Sequence, residues 1–219
     1  MYIDFLKTHH SKTKRNYLDR VNKIDKAQAA KKAKKWDFDY WDGSRDINYG
    51  GYHYDGRWKP IAEEMIKHYS LDKKSKILDI GCGKGFLIYE FTQLIPGCEV
   101  LGLDISSYAI ENSKIEIKSK LSLGEASKLP YENNCFDLVI SINTLHNLYC
   151  FDLLNSLKEI ERVAKRNKYI CVESYRNEVE KVNLLYWQVT CESFFTPDEW
   201  QWFFDQAKYT GDHSFIFFE

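Results

Sequence analysis

The sequence predicts an α/β protein in which helices cover both faces of a doubly wound, mostly parallel β-sheet. From residue 61 onward, segments with strand character alternate with segments that have helical periodicity. Several strand segments, such as FDLVISI at 136–142, are apolar throughout, which is typical of strands buried on both faces. Since 44% of the 219 residues are hydrophobic, the chain has enough apolar side chains to build a core around such a sheet.

The predicted elements alternate along the chain, as parallel pairing requires. The predicted strands are apolar segments at 76–81, 99–105, 119–123, 136–142, 169–174 and 214–219. The predicted helices have apolar residues three or four positions apart and lie at 61–70, at 85–95, from 107, from 153 and at 197–207. Each pair of strands is therefore joined by a crossover connection.

Residues 1–60 precede this pattern and differ from it. An amphipathic helix is expected where apolar residues recur at helical spacing, at Tyr17, Leu18, Val21 and Ile24. The lysines that follow it are interpreted as a solvated helix face. Residues 36–60 show no sustained helix or strand period, but they hold eight aromatic residues and more acids than bases, a combination that favours a cation. We therefore predict that residues 1–60 form a helical and aromatic lid over a domain at 61–219.

Composition limits the classes of function. A net charge of −1 argues against a protein whose main task is to bind nucleic acid, and no apolar run approaches the roughly 20 residues of a membrane span. Residues 1–10 lack the pattern of a secretory signal. The six cysteines show no C-x-x-C spacing, so we expect neither a disulfide framework nor a metal site, and we expect a reduced, cytoplasmic protein.

A glycine-rich turn between a strand and a helix, DIGCGKG at 79–85, is the first motif that indicates chemistry. Its spacing fits neither a phosphate-binding P-loop nor the dinucleotide motif G-x-G-x-x-G, because Phe86 stands three residues after Gly83. A carboxylate at Asp79 suits a cationic amine and a sulfonium better than a pyrophosphate. Asp104 ends the next strand, where a carboxylate can accept hydrogen bonds from ribose hydroxyls. These charges favour S-adenosylmethionine as the ligand.

Four segments, ILDIGCGKG, LGLDIS, GEASKLPYENNCFDLVIS and INTLHNL, resemble the successive cofactor motifs of class I S-adenosylmethionine-dependent methyltransferases over residues 77–174. The resemblance implies a seven-stranded sheet, with S-adenosyl-L-homocysteine as the product. It also implies that Asp104 binds the ribose and that Asn143 flanks the reacting methyl group. The remaining residues that it assigns to the cofactor are Asp79, Gly81, Cys82, Gly83 and Gly85 near the methionine portion, and Ile105, Glu125 and Ala126 near adenine. Glu125 departs from the Asp that the family usually has there.

Three candidate residues for the acceptor side come from the strand ends and the lid. His146 is either a general base or a histidine that shapes the pocket by hydrogen bonding. Glu173 is either an acceptor-binding carboxylate or a surface residue paired with Arg176. Tyr52 follows the unusual pair of glycines in YGGY at 49–52, which predicts that this backbone, with Tyr49, approaches a ligand closely.

The expected activity is methyl transfer to a small molecule, with N-methylation of an amino or amidino group as the leading hypothesis. Residues 190–219 resemble methyltransferases of bacterial surface-sugar pathways, including those of nonulosonic acids, which makes a sugar a candidate acceptor. The alternatives are a small-molecule O-methyltransferase, an RNA methyltransferase and an inactive partner subunit that binds the cofactor. No proline follows Asn143, which argues against methylation of nucleobase amines. The sequence leaves the oligomeric state open.

Overall fold

The structure is a computed structural model that describes residues 1–7 and 15–219, and it confirms the α/β class. The helices are α1 Tyr17–Lys23, α2 Lys26–Ala33, α3 Phe38–Trp41, α4 Lys59–Tyr69, α5 Phe86–Leu94, α6 Ser107–Glu111, α7 Cys150–Val163, α8 Glu178–Trp187 and α9 Pro197–Ala207. The strands are β1 Lys76–Ile80, β2 Glu99–Asp104, β3 Leu121–Leu123, β4 Phe136–Ile142, β5 Ala164–Glu173 and β6 Asp212–Ile216. None of the described helices is long and apolar enough to cross a membrane.

The sheet is parallel and its strand order is β3-β2-β1-β4-β5-β6. Strands β1, β2 and β3 form one half of the sheet, in that order from its centre to its edge. The next strand, β4, pairs with the other side of β1, with Ile77 opposite Leu138. The strand order reverses between β1 and β4. The connections that follow these two strands lie on opposite faces of the sheet, which opens a crevice at the carboxyl ends of the strands. Ligands of doubly wound sheets bind in such a crevice.

The sheet has six strands within the described residues, so the expected count of seven is wrong. The outer edge of β6 is instead covered by the start of the chain, which forms one parallel bridge between Tyr2 and His213. Ile3 N–H donates to the His213 carbonyl and His213 N–H donates to the Met1 carbonyl, each over 2.9 Å. These bonds occupy the backbone groups with which a further strand would pair.

Alternate residues of the central strands face opposite layers of the core. Ile77 and Leu138 pack in a cluster with α4 and α5. Leu78 and Val139 pack on the other face with α7 and α9, where Trp200 is fully buried. Because successive strand residues point to opposite faces, an apolar strand serves both layers. This packing explains why the central strands are apolar throughout.

Residues 36–60, the aromatic part of the predicted lid, cross the carboxyl ends of the strands and are held there by buried aromatic rings and by the ion pair between Asp42 and Lys84. Contrary to the expectation of no helix at 36–60, the short helix α3 forms, and Asp37 caps it by accepting from Asp39 N–H. Trp41 Nε1 donates to Ser106 Oγ over 2.9 Å. Lys84 Nζ lies 2.7 Å from both carboxylate oxygens of Asp42. The lid is therefore fastened directly to the glycine turn between β1 and α5.

We predict that the ion pair between Asp42 and Lys84 stabilises the fold. The Lys84 side chain is only 5% exposed, so Asp42→Asn should leave a buried ammonium without its carboxylate and lower the free energy of unfolding by about 3 kcal/mol. Adding Lys84→Met should restore part of the loss, because the unpaired charge is then removed. Asp19→Asn is the control, since its pair with Lys23 is exposed. Urea unfolding measures all four proteins, and an unchanged midpoint for Asp42→Asn would contradict the prediction.

Candidate functional site

A cavity of about 300 Å³ lies between the lid and the carboxyl ends of β1, β2 and β4. We call it the larger cavity. The cofactor residues expected from the sequence that line it are Asp79, Gly81, Cys82, Gly83, Asp104, Ile105, Glu125, Ala126, Asn143 and Tyr49. Gly85 is absent from this lining and instead is the N-cap residue before α5, with a φ of 72°. The fold thus brings together all but one of the residues that were assigned to the cofactor.

The glycine turn follows the cavity wall so closely that side chains would not fit. Gly81 has a φ of 75°, and a Cβ there would overlap the Thr144 side chain. Gly83 has a φ of 56°, and a Cβ there would lie 2.6 Å from Cη2 of Trp41. The positive φ values and the absent side chains leave the backbone of the turn open to a ligand.

Two buried carboxylates face the larger cavity. Burial, followed by the charge of Asp104, raises the pKa of Asp79 to about 7, and no hydrogen bond joins its carboxylate to any residue in the described ranges. Asp104 is held by backbone donors, with Gly83 N–H at 2.6 Å and Ser106 N–H at 2.8 Å. Burial also raises the pKa of Asp104, against these hydrogen bonds. The pair fits a ligand that brings a cation to Asp79 and hydroxyl groups to Asp104.

The opposite end of the larger cavity is open to solvent. Ile105 is 55% exposed and Glu125 is also exposed, with the half-buried Ala126 beside it. An apolar side chain at the rim, next to a carboxylate, suits a flat heterocycle that carries an amino group. The family resemblance assigned adenine to this end.

A second cavity of about 210 Å³, which we call the polar cavity, adjoins the larger one. The residues that line both are Tyr40, Tyr49, Tyr52, Trp58 and Asn143. The polar cavity also contains His146 and Glu173. All three residues predicted for the acceptor side, Tyr52 included, therefore lie around one space that meets the larger cavity at Asn143.

His146 is buried and neutral. Its Nδ1 accepts from Glu173 N–H over 3.4 Å, and its Nε2 lies 3.5 Å from Glu173 Oε2. Burial lowers the pKa of His146 to about 3. With Nδ1 engaged by the backbone, the proton is assigned to Nε2, where it faces the carboxylate. Of the two roles considered for His146, this geometry favours the one in which the imidazole shapes the pocket.

Glu173 ends β5 with its carboxyl group buried in the wall of the polar cavity. Gln188 Nε2 donates to Oε1, while Oε2 is buried and has no hydrogen-bond partner among residues 1–7 and 15–219. Burial raises the pKa of Glu173 to about 8. Arg176 pairs with Glu180 and Glu219 instead of Glu173. A buried carboxyl group that has an oxygen without a hydrogen bond and a pKa near neutrality is suited to accept a proton once it is ionised.

Tyr49 and Tyr52 form part of the partition between the two cavities. The Tyr49 ring stacks on Trp41 with centroids 5.4 Å apart, and burial raises its pKa to about 12. The Tyr52 hydroxyl accepts from Trp58 Nε1 over 3.0 Å, and its ring stacks on Phe86. Both phenols are therefore neutral, and the Tyr52 hydroxyl proton can be donated to a ligand.

Two arginines of the polar cavity, Arg15 and Arg45, were not predicted from the sequence, and the carboxylates of residues 36–60 do not face a ligand site as expected; Arg57 was expected above the acceptor. Arg15, Arg45 and Arg57 line the polar cavity. None of the five carboxylates at residues 36–60 lines either cavity; Asp42, for example, binds Lys84 at the glycine turn. Interleaved charges in a segment without regular periodicity do not reveal which of them point inward. The acids of the lid therefore do not argue for a cationic acceptor.

Comparison with curated proteins shows which sequences this chain is similar to. It is 33% identical over 119 residues to an uncharacterized methyltransferase of Schizosaccharomyces pombe, covering 49% of this chain and 41% of that protein. It is 34% identical over 122 residues to the demethylmenaquinone methyltransferase of Staphylococcus aureus, covering 53% and 50% of the two chains. The chain thus spans about half the length or less of these relatives.

Solved structures share the fold. The YcgJ protein of Bacillus subtilis aligns with a TM-score of 0.56 at 22% identity, covering 67% of this chain and 66% of that one. A geranyl diphosphate methyltransferase in complex with S-adenosylmethionine aligns with a TM-score of 0.55 at 15% identity, covering 67% and 62%. A family model described as a methyltransferase domain matches residues 71–208, which is more than half of the chain. The chain therefore belongs to this methyltransferase domain family.

Proposed function

We propose that the enzyme methylates an amino or amidino nitrogen of a small molecule that is bound in the polar cavity. The observation that carries this proposal is Glu173 Oε2, which is buried in the wall of the polar cavity and accepts no hydrogen bond from the described residues, with His146 Nε2 3.5 Å away. A nitrogen nucleophile must give up a proton in the course of its methylation, and this oxygen is free to receive one. In this arrangement residues 1–60 act as the lid and residues 61–219 as the catalytic domain.

The larger cavity would hold the cofactor through the residues described above. Asp79 would bind the cationic amine, Asp104 the ribose hydroxyls and the backbone of the Gly81–Gly85 turn the methionine portion. When bound, S-adenosylmethionine supplies an electrophilic methyl carbon, and its sulfur keeps the electron pair of the bond that breaks. Tyr49 and Trp41 would cover the cavity and exclude water from the reaction.

In the polar cavity, the residues of this chain would position the acceptor and remove its proton. As the new N–C bond forms, the nitrogen acquires a positive charge and becomes acidic, and Glu173 Oε2 takes its proton. The neutral His146 keeps its Nε2–H directed at Glu173 and thereby orients the carboxylate. Asn143 Oδ1, which is buried and unpartnered among the described residues, would accept a hydrogen bond from the nucleophile.

A sugar is a candidate acceptor because the polar cavity offers donors and acceptors along its wall, including Asn48, Gln188 and Thr190. The resemblance of residues 190–219 to surface-sugar methyltransferases, including those of nonulosonic acids, agrees with this choice. O-methylation is the second candidate. The aromatic walls formed by Tyr40, Tyr52 and Trp58 would hold a flat phenol, and Glu173 would remove its hydroxyl proton.

The first prediction concerns the cofactor site. Asp104→Ala should weaken binding of S-adenosylhomocysteine by about 10- to 100-fold, because the two ribose hydroxyls lose a charged acceptor. Calorimetric titration measures the dissociation constant. Asp198→Ala removes an exposed carboxylate from the first turn of α9 and should leave binding unchanged. If the Asp104→Ala variant and the wild type bind S-adenosylhomocysteine with equal affinity, Asp104 does not bind the ribose.

The second prediction concerns the proton acceptor. Only the ionised form of Glu173 can take a proton, so kcat/KM should rise with pH through a pKa of about 8 and then level off. Glu173→Gln should lower kcat by about 100-fold or more and remove this pH dependence, leaving only the titration of the acceptor itself. His68→Gln, on the exposed side of α4, is the control. If Glu173→Gln keeps the wild-type pH profile, Glu173 is not the base.

A further inference from the structure

The arginines around the polar cavity are not equally neutralised. Arg57 Nε lies 2.8 and 2.7 Å from the two carboxylate oxygens of Asp55, so its charge is balanced. Neither Arg15 nor Arg45 forms an ion pair with any carboxylate in the part of the chain that the structure describes. The cavity wall therefore carries two arginines that no ion pair within 4 Å among the described residues neutralises, although the charge of Arg15 acts on Glu173 and lowers its pKa against the effect of burial.

Arg15 lies over aromatic rings and has donor capacity to spare. Its guanidinium carbon is 4.8 Å from the ring centroid of Phe218 and 5.5 Å from that of Trp187. Its Nε is buried and has no hydrogen-bond partner within the described residues. A buried, unsatisfied donor on a charged group is costly, unless a ligand completes it.

Arg45 approaches the same tryptophan. Its guanidinium carbon lies 5.6 Å from the Trp187 centroid, and Nη1 donates to the backbone carbonyls of Asn48 and Tyr49. Arg20 also packs on Trp187, but its nitrogens donate to three backbone carbonyls and it does not line the cavity. Burial, and after it the charge of Arg45, lowers the pKa of Arg20. Three arginines thus lie around the Trp187 ring, and the charge of Asp46 acts on one of them, Arg20.

We propose that the methyl acceptor carries a carboxylate, which Arg15 and Arg45 bind at the Trp187 side of the polar cavity. This inference rests on the proposed function and adds the chemical class of its substrate. Guanidinium groups bind carboxylates through paired N–H donors, and binding would also satisfy Arg15 Nε. The nucleophile would then lie at the other end of the acceptor, toward Asn143 and Glu173. The substrate class is accordingly an amino acid in the broad sense, including an amino sugar acid.

A carboxylate suits this cavity better than a phosphate. Glu173 also lines the cavity, and once ionised it adds a negative charge to the same space. A dianionic phosphate would be repelled more strongly by that charge than a carboxylate, which carries one negative charge. A phosphate is nevertheless recognised by the same guanidinium chemistry and is tested separately.

The test measures whether the charge of the ligand controls its affinity. The probes are the ω-aminocarboxylates from glycine to 6-aminohexanoate, each paired with its primary amide, together with O-phosphoethanolamine. Dissociation constants are measured by ligand-observed NMR with the full chain saturated with S-adenosylhomocysteine. We expect at least one carboxylate to bind tenfold or more tightly than its own amide. O-phosphoethanolamine should bind more weakly than that carboxylate.

Variants identify the groups responsible. Arg15→Gln and Arg45→Gln should each reduce the carboxylate-to-amide preference to less than threefold, while Arg166→Gln, an exposed arginine on β5, should retain it. Arg15→Lys and Arg45→Lys keep the charge but not the paired donors, and should retain an intermediate preference. Normal binding of S-adenosylhomocysteine shows that each variant is folded.

Two results would overturn the inference. One is that no probe carboxylate binds more tightly than its amide, and the other is that the preference survives in Arg15→Gln and Arg45→Gln. If S-adenosylhomocysteine binds the wild type in either case, the proposed function stands and only the substrate class is wrong. If S-adenosylhomocysteine does not bind at all, the proposed function fails and the inference fails with it.

Discussion

The burial of carboxyl groups at the ends of parallel strands is the constraint on which the rest of the site depends. Asp79 lies next to the end of β1, while Asp104 and Glu173 end β2 and β5. Removing a carboxylate from water is costly, and the pKa of each of these groups is raised mainly by burial. A cation near Asp79, or a proton delivered to Glu173, relieves that cost. Burial of these carboxyl groups therefore destabilises the folded chain, but it also favours binding of a cationic ligand at Asp79 and proton transfer to Glu173.

The lid maintains this desolvation, and it does so through the glycine turn. Asp42 binds Lys84, whose neighbour Gly83 donates its N–H to Asp104. Trp41 lies against Gly83 so closely that any side chain there would collide with the ring. The position of the lid and the conformation of the turn are thus coupled by direct contact. A substitution that moves the lid must therefore also change the conformation of the glycine turn.

The sequence predicted the parts of the site that depend on local order along the chain. Asp79, Gly81 and Asp104 could be placed because a strand, a turn and the next strand follow one another within about 25 residues, and the crevice of a doubly wound sheet then gathers their ends. Two of the features that the sequence did not predict depend on tertiary packing. Helix α8 has only weak amphipathic character, yet its Trp187 becomes the ring around which the arginines lie. Arg15 precedes Trp187 by more than 170 residues in the sequence, so the spacing of residues along the chain could not predict their contact.

The lid shows why composition alone was a poor guide to the acceptor. At residues 36–60 the acids outnumber the bases, which favoured a cation, but three of those five acids serve as a helix cap, as the partner of Lys84 and as the partner of Arg57. What counts for a ligand is the charge that remains unpaired at the cavity wall. By that measure the larger cavity presents acids, and the polar cavity presents arginines together with Glu173. The separation of acids from arginines would orient a zwitterionic acceptor. Only one of its two orientations places the anionic end on the arginines and the nucleophile near Asn143.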